Sequence, residues 1–342
     1  MDRLTDDVIR DVFHTDGVRV VETRMQANGT TMAIWSPDVS EQVPLACCLD
    51  ALRTHLPQAL LRDGAVLLRG FAPLQVSGLD AFASAFGDAL QDYTFGSTPR
   101  SQVEGRVYSS TEYPATQWID QHNEQSYTLQ WPKRIWFYCD IPATEGGATP
   151  IADSRTVYTR LRARLPQTVL DRFEREGVMY LRNYGNGLDV PWEQVFGTSD
   201  RDVVAAYCTA NRIDYEWLDD GEALRTRQIC QAVWRHPVTH APVWFNQAHL
   251  FHLTNLPVPL REALLEAVEP DRLPRNTCFG DGTPIDDAIL DEIRAVYQET
   301  MLSFTWREGD LLVLDNLLAS HGRAPFSGKR RVVVAMSGAS GA

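Results

Sequence analysis

The 342-residue chain has no apolar run approaching the roughly 20 residues that a membrane-spanning helix needs, so no membrane role is expected. It lacks internal repeats and low-complexity tracts, and no Gly-, Ser- or Pro-rich linker divides it. None of its six cysteines (Cys47, Cys48, Cys139, Cys208, Cys230 and Cys278) forms a C-x-x-C pair, and the adjacent Cys47 and Cys48 are poorly placed to bridge each other. Scattered cysteines in a chain this long suit a reducing compartment. The first residues, Met1 to Asp7, are acidic and have no apolar core segment. No signal peptide is read there, and the expected location is the cytoplasm. Basic residues are in deficit: the net charge is −13, which leaves nucleic-acid binding without an electrostatic footprint. What remains, 44% hydrophobic and 23% charged residues, is ordinary soluble globular composition.

Periodicity places short strands at both ends of the chain. Gly64 to Phe71 is a short apolar run bounded by glycine, and Arg134 to Ile141 alternates in the manner of a strand. Gly146-Gly147 marks a turn, after which Ala148 to Asp153 is extended. Gly309 to Leu314 and Arg331 to Met336 are the last strand candidates. Helices are expected over Gly78 to Leu90, over Val157 to Glu176 with a break at Pro166 and a stop at Gly177, over Asp200 to Ala210, over Pro259 to Val268 and over Asp286 to Thr300. Gln231 to Gln247 is mostly extended. This is an α+β layout with a largely helical middle, not a succession of βαβ units.

Two segments carry chemistry. One is Gln121-His122-Asn123-Glu124-Gln125-Ser126-Tyr127; the other runs from Asp315-Asn316 through His321-Gly322-Arg323 to Lys329-Arg330-Arg331. Two imidazoles and one carboxylate on one face of a metal leave other positions open, an arrangement suited to Fe(II) that must bind an oxidisable co-substrate and O₂ together. An H-x-[DE] triplet is weak on its own, since about one arises by accident in a chain with eight histidines. His14-Thr15-Asp16 is such an accident, with His14 read as the C-terminal residue of an amphipathic helix. His122 and Glu124 differ in context. If their segment is extended, i and i+2 share a face and reach one ion. His321 follows a strand and opens a polar loop, where the bland alternative is a surface histidine. Arg330 and Arg331 open an apolar strand; only one of them can point inward, where a guanidinium would grip a carboxylate.

Taken in order, several segments resemble the TauD/TfdA family of Fe(II)- and 2-oxoglutarate-dependent dioxygenases, with the flavour of the SyrP-like subgroup. They are Ser110-Thr111-Glu112-Tyr113-Pro114, His122 to Tyr127, Gly146-Gly147-Ala148-Thr149-Pro150 with Asp153-Ser154-Arg155, Trp244-Phe245-Asn246-Gln247, and Asp315-Asn316 through Arg331. The resemblance covers most of the chain. It implies a single domain, residues 1–342, with a double-stranded β-helix (jelly-roll) core and a helical insertion, about 155–300, covering the active site. It also implies His122, Glu124 and His321 as iron ligands, Thr149 and Arg330 on the distal carboxylate of 2-oxoglutarate, and Asn246 near co-substrate or substrate. Many relatives carry Asp where this chain has Glu124. Halogenating relatives have a small residue there, so the resemblance implies hydroxylation, with 2-oxoglutarate decarboxylated to succinate as O₂ is consumed.

The implied substrate is a small molecule: an amino acid or amino-acid derivative of a natural-product pathway, free or presented on a carrier protein. Desaturation, cyclisation and sulfonate or phosphonate substrates are the alternatives within the family. A zinc hydrolase using the same three ligands is the alternative of another class, but it gives Thr149 and Arg330 no task. His249 and His252 in His-Leu-Phe-His are read as packing or lid contacts, and Trp131, Trp136, Trp192, Trp217 and Trp244 mostly as core. Arg182-Asn183-Tyr184 and Glu112 are candidate substrate contacts, set against structural hydrogen bonding.

Overall fold

The computed structural model describes residues 9–92, 100–110, 113–185 and 187–341. Its largest sheet has nine strands. In spatial order they are Arg10–Thr15, Val18–Ala27, Thr30–Pro37, Ala65–Leu68, Leu311–Asp315, Gln130–Ile141, Arg331–Gly341, Val107–Ser109 and Gln102–Glu104. The strand from near the C-terminus, Leu311–Asp315, lies between Ala65–Leu68 and Gln130–Ile141, antiparallel to both. A second sheet is small and orders Ile151–Asp153, Ala319–Arg323 and Ile119–His122. It brings His321 level with His122 on one side and with Ile151 on the other.

The inward faces of the two sheets share a core of alternating residues: Ile135, Phe137 and Cys139 from one strand, Leu312 and Leu314 from the next, and Val332, Val334 and Met336 from a third, packed on Ile151 and Ala319. The period-2 pattern of these strands puts one set inward and leaves the other, with Trp136, Tyr138, Val313 and Val333, to the helix Leu49–Asp63 and its neighbours. The sheet thus has a second core behind it and needs no solvent-facing side.

The middle of the chain has more helix than strand but is not helical alone. It holds a four-stranded sheet, ordered Asp214–Leu218, Ala223–Cys230, Val178–Tyr184 and Arg275–Phe279, backed by the helices Ser154–Arg164, Gln167–Glu176 and Asp287–Thr300. These strands carry polar residues inside: Arg182, Asn183, Arg225, Thr226, Gln228 and Thr277 are all buried. That breaks the apolar alternation by which a strand is recognised. The helix boundaries do follow local chemistry. Pro166 separates two helices, Gly177 ends the second at φ +72°, and Asp200 and Asp286 cap their helices through side-chain oxygens. The helix expected from Gly78 to Leu90 spans Val76–Ser84 instead.

His14 lies on a strand, not at a helix end. Arg10–Thr15 pairs with Val18–Ala27 across Asp16-Gly17, whose φ values of +46° and +79° make a two-residue hairpin turn. The histidine is exposed beside Asp11, remote in the sheet order from the second sheet.

Candidate metal centre and co-substrate cavity

His122 closes the strand Ile119–His122, and His321 sits in its neighbour Ala319–Arg323. One ligand atom from each of His122, Glu124 and His321 lies within 4.8 Å of the others. That is close to the span three ligands about 2.0–2.3 Å from one ion require. Glu124 does not reach this point by strand alternation. The strand ends at His122, and Glu124 lies in the following turn, where Gln125 has φ +53°. The turn is held by Asn316, whose Oδ1 accepts the Glu124 N–H at 2.8 Å and whose Nδ2 donates to the Glu124 carbonyl at 2.9 Å and to the Pro132 carbonyl at 2.9 Å. Asn123 Nδ2 donates back to the Asn316 carbonyl at 2.7 Å.

The donor set fits a divalent metal. His122 Nδ1–H donates to the Asp120 carbonyl at 2.8 Å, which fixes the tautomer and leaves the Nε2 lone pair free to coordinate. Burial lowers the pKa of His122, and it lowers that of His321 further still, with His122 and Arg100 adding to the effect on His321. Both rings are therefore neutral, the form a metal needs. Phe137 packs against the His321 ring at 4.9 Å. The Glu124 carboxylate is buried and bonded by Arg100 Nη2 at 2.7 Å, with His321 Nε2 3.8 Å away.

Behind the cluster lies a cavity lined by Thr149, Arg330, Arg323, Ser110, Phe137 and Val332, among others. Of the two candidate arginines, Arg330 points inward and Arg331 outward, where Arg331 meets Asp140 at 3.3 Å. The Arg330 guanidinium donates to the Gly147 carbonyl at 3.2 Å and lies 3.5 Å from Ser110 Oγ. No carboxylate pairs with it among the described residues. Burial, and then the neighbouring Arg323, push it down to about 10, which still leaves it charged at neutral pH. A half-buried cation with no anion beside it is well placed to gain from a ligand carboxylate. Thr149 Oγ1 accepts a bond from Trp306 Nε1 at 2.9 Å, so its own proton is left for such a ligand. These residues fit the distal end of a 2-oxo diacid, and the cluster fits the iron that would hold its other end.

Other expected contacts are not brought here. Asn246 is wholly buried, donates to the Ala232 carbonyl and accepts from the Ala248 N–H. Its amide is spent on the backbone, and it lines neither this cavity nor the larger one in front. Arg182, Asn183 and Tyr184 lie in the middle sheet, with Asn183 bonded to the Asp271 and Leu273 carbonyls. Glu112 falls outside the described residues. His249 donates to the Gln121 carbonyl and stacks on Tyr297, and His252 caps Thr254. Trp131, Trp136 and Trp244 are fully buried, Trp192 nearly so, and Trp217 packs at the edge of a core. Arg100 and Trp306 lie outside every segment the sequence singles out and are placed only by the fold; Arg323 stands in the His321-Gly322-Arg323 segment, but the sequence gives it no role.

The front of the cluster opens into a cavity of about 840 Å³. Its rim is the loop holding Tyr113, Gln117 and Trp118, and its outer wall is built from Leu250, Phe251, Leu256 and Leu260 of the middle segment. Arg323 donates to the carbonyls of Tyr113, Pro114 and Gln117, tying that rim to the co-substrate cavity.

Comparison with known proteins gives the family and the fold. The family described as taurine catabolism dioxygenase TauD, TfdA family matches residues 35–336. Dapdiamide synthesis protein DdaC of Enterobacter agglomerans is 40% identical over 290 residues, covering 84% of this chain and 87% of that protein. Clavaminate synthase-like protein At3g21360 of Arabidopsis thaliana is 30% identical over 289 residues, covering 82% and 84%. Among solved structures, PvcB of Pseudomonas aeruginosa superposes with a TM-score of 0.53 at 16% identity, covering 96% of this chain and 94% of that one. AAD-2 in complex with Mn(II) and N-oxalylglycine gives a TM-score of 0.51 at 14% identity, covering 93% and 97%. The chain belongs to the TauD, TfdA family and is a non-haem iron dioxygenase that uses 2-oxoglutarate.

Proposed function

We propose that this dioxygenase hydroxylates an aliphatic C–H of an amino acid or amino-acid derivative in natural-product biosynthesis, with His122, Glu124 and His321 holding the iron and Thr149 and Arg330 the distal carboxylate of 2-oxoglutarate. The observation that carries the site assignment is the convergence of the three ligand atoms beside a half-buried arginine that has no carboxylate partner among the described residues. The relative named for dapdiamide synthesis supports the natural-product setting. Iron with 2-oxoglutarate and O₂ supplies the oxidising power. The chain's own part is positional. The Asp120 carbonyl orients His122, Asn316 holds the Glu124 turn, Phe137 and Val332 keep water from the space between iron and diacid, and the large front cavity presents the C–H.

We read the whole chain as one domain, because the ligands come from distant stretches of sequence, and the paired sheets as a double-stranded β-helix. The insertion, about 155–300, supplies the outer wall of the front cavity and is read as the part that sets specificity. None of its described helices is long and apolar enough to cross a membrane, and all six cysteines are unpaired, which supports a reducing cytoplasm.

Mass spectrometry after incubation with Fe(II), 2-oxoglutarate and a panel of amino acids, free and loaded on a carrier protein, tests the reading. A product heavier by one oxygen atom, formed with succinate, is the expected result. Loss of two hydrogens would make the enzyme a desaturase or cyclase. Turnover with zinc and without 2-oxoglutarate would remove the hydroxylase reading altogether.

A further inference from the structure

The front cavity carries a charge that its volume does not explain. Five carboxylate or guanidinium side chains line it: Arg100, Asp120, Glu124, Asp189 and Arg275. Four are matched. Arg100 holds Glu124 at 2.7 Å, and Arg275 holds both oxygens of Asp189, at 2.5 and 2.6 Å. Asp120 is the exception: among the described residues no hydrogen bond or ion pair reaches its carboxylate. The titratable groups nearest in effect are Arg294 and His122. Arg294 is already committed to Asp291, the His249 carbonyl and Thr254 Oγ1, and His122 uses its Nδ1–H on the Asp120 carbonyl.

The backbone explains where this carboxylate looks. Asp120 and His122 are i and i+2 on the strand Ile119–His122, so they share a face, about 7 Å apart along the strand. Gln121 between them faces the other way, bonded to the Tyr297 carbonyl and Ser320 Oγ. Asp120 therefore stands in the open cavity one strand repeat from the metal cluster, beside the space where the reacting carbon must lie. Beyond it the wall turns apolar with Leu250, Phe251, Leu253, Leu256, Leu260 and Leu264. At about 840 Å³ the cavity lies in the upper part of the range that holds drug-sized ligands, more room than a small free amino acid fills.

We propose that Asp120 is the substrate anchor for a protonated amine, and that the substrate is an amine-bearing compound with an extended apolar body whose ammonium lies a few bonds from the carbon that is oxidised. This rests on the functional reading above and narrows it. A sulfonate, phosphonate or free carboxylate at this place would face the Asp120 charge with its own, while both cavity arginines are already engaged by acids. An ammonium restores neutrality, and its charge-assisted bond is the kind whose loss costs about 10- to 150-fold in affinity.

The test uses the full chain loaded with Mn(II) and N-oxalylglycine, which holds the co-substrate position without turnover. Calorimetry then compares two matched probes, L-leucine amide, which carries an ammonium, and N-acetyl-L-leucine amide, which does not. The amine should bind at least about tenfold tighter. Asp120→Asn should abolish that preference while leaving the Mn(II) and N-oxalylglycine affinities unchanged. Equal affinity for the two probes, no measurable binding of the amine, or a preference that survives in Asp120→Asn overturns the proposal. So does an Asp120→Asn protein that loses Mn(II), since Asp120 would then be supporting His122 instead of substrate. A wild-type chain that binds neither Mn(II) nor N-oxalylglycine fails earlier, at the site assignment itself.

Discussion

Asn316 brackets the backbone of Glu124, taking its N–H with one end of the side-chain amide and giving a bond to its carbonyl with the other. All three residues of the turn contact, Asn123, Glu124 and Asn316, are buried, so no water can replace the bracket. The asparagine does for this turn what a neighbouring strand would do, and it fixes where the carboxylate points. Asn316→Ala leaves the Glu124 N–H and the Glu124 and Pro132 carbonyls without their partner, at about 1–3 kcal/mol for a buried unsatisfied group. The expected outcome is a folded protein with a lower melting temperature and about 10- to 100-fold weaker Mn(II) binding, the scale at which supporting residues act on metal sites. Titration with Mn(II) decides it; unchanged metal affinity would mean that Glu124 does not depend on the bracket.

Arg330 and Arg331 are neighbours with opposite surroundings, one in the co-substrate cavity and one exposed beside Asp140. Arg330→Ala should raise the 2-oxoglutarate requirement about 10- to 150-fold and leave metal binding intact. Arg331→Ala should change neither, because an exposed ion pair contributes little. The assay is 2-oxoglutarate binding by calorimetry on the Mn(II) protein. A reversed result would place the co-substrate on the other face of the strand.

Residue context explains why some of this was legible in the sequence and some was not. His122, His321, Thr149 and Arg330 stand in segments whose neighbours repeat a family pattern, so identity and order were enough to single them out. Glu124 comes to the cluster from a turn and not by the strand alternation expected of it, and that turn depends on an asparagine nearly two hundred residues away. Asn246 failed because a shared motif does not say which way an amide points; here it faces the Ala232 carbonyl. Arg100 and Trp306 were invisible because their roles exist only in three dimensions. The middle sheet was missed because buried Arg182, Arg225 and Gln228 interrupt the apolar period that marks a strand.

Gly147 shows how tightly the co-substrate cavity is built. It has φ +69°, and a Cβ there would meet Ala143 Cβ at 2.9 Å and Arg330 Cδ and Nε at 3.1 Å. Gly147→Ala therefore combines backbone strain of about 1–2 kcal/mol with a displaced guanidinium. Stability should fall by about that amount, and 2-oxoglutarate affinity should drop about tenfold or more. Calorimetry and thermal unfolding on the same sample separate the two effects. A variant that loses stability but keeps full 2-oxoglutarate affinity would show that Arg330 has room to move aside.

His249 should make the protein acid-sensitive. It is buried, stacked on Tyr297 and bonded to the Gln121 carbonyl, and burial, then Arg294, pull its pKa down from 6.5 to about 3. The folded state thus keeps the ring neutral while the unfolded chain takes up a proton below its ordinary value. Above about pH 6.5 neither state is protonated at this ring and no penalty exists. As pH falls from there toward about 3, stability is lost at roughly 1.4 kcal/mol per pH unit, after which the folded state protonates too and the loss stops growing. Between about pH 7.5 and pH 5 this one ring removes about 2 kcal/mol. His249→Gln keeps a donor for the Gln121 carbonyl and removes the titration. Urea unfolding at the two pH values should therefore show the variant losing about 2 kcal/mol less than the wild type, with His122 and His321 contributing equally to both proteins. Identical losses would mean that the ring is already protonated in the fold, which the nearby Arg294 charge makes costly.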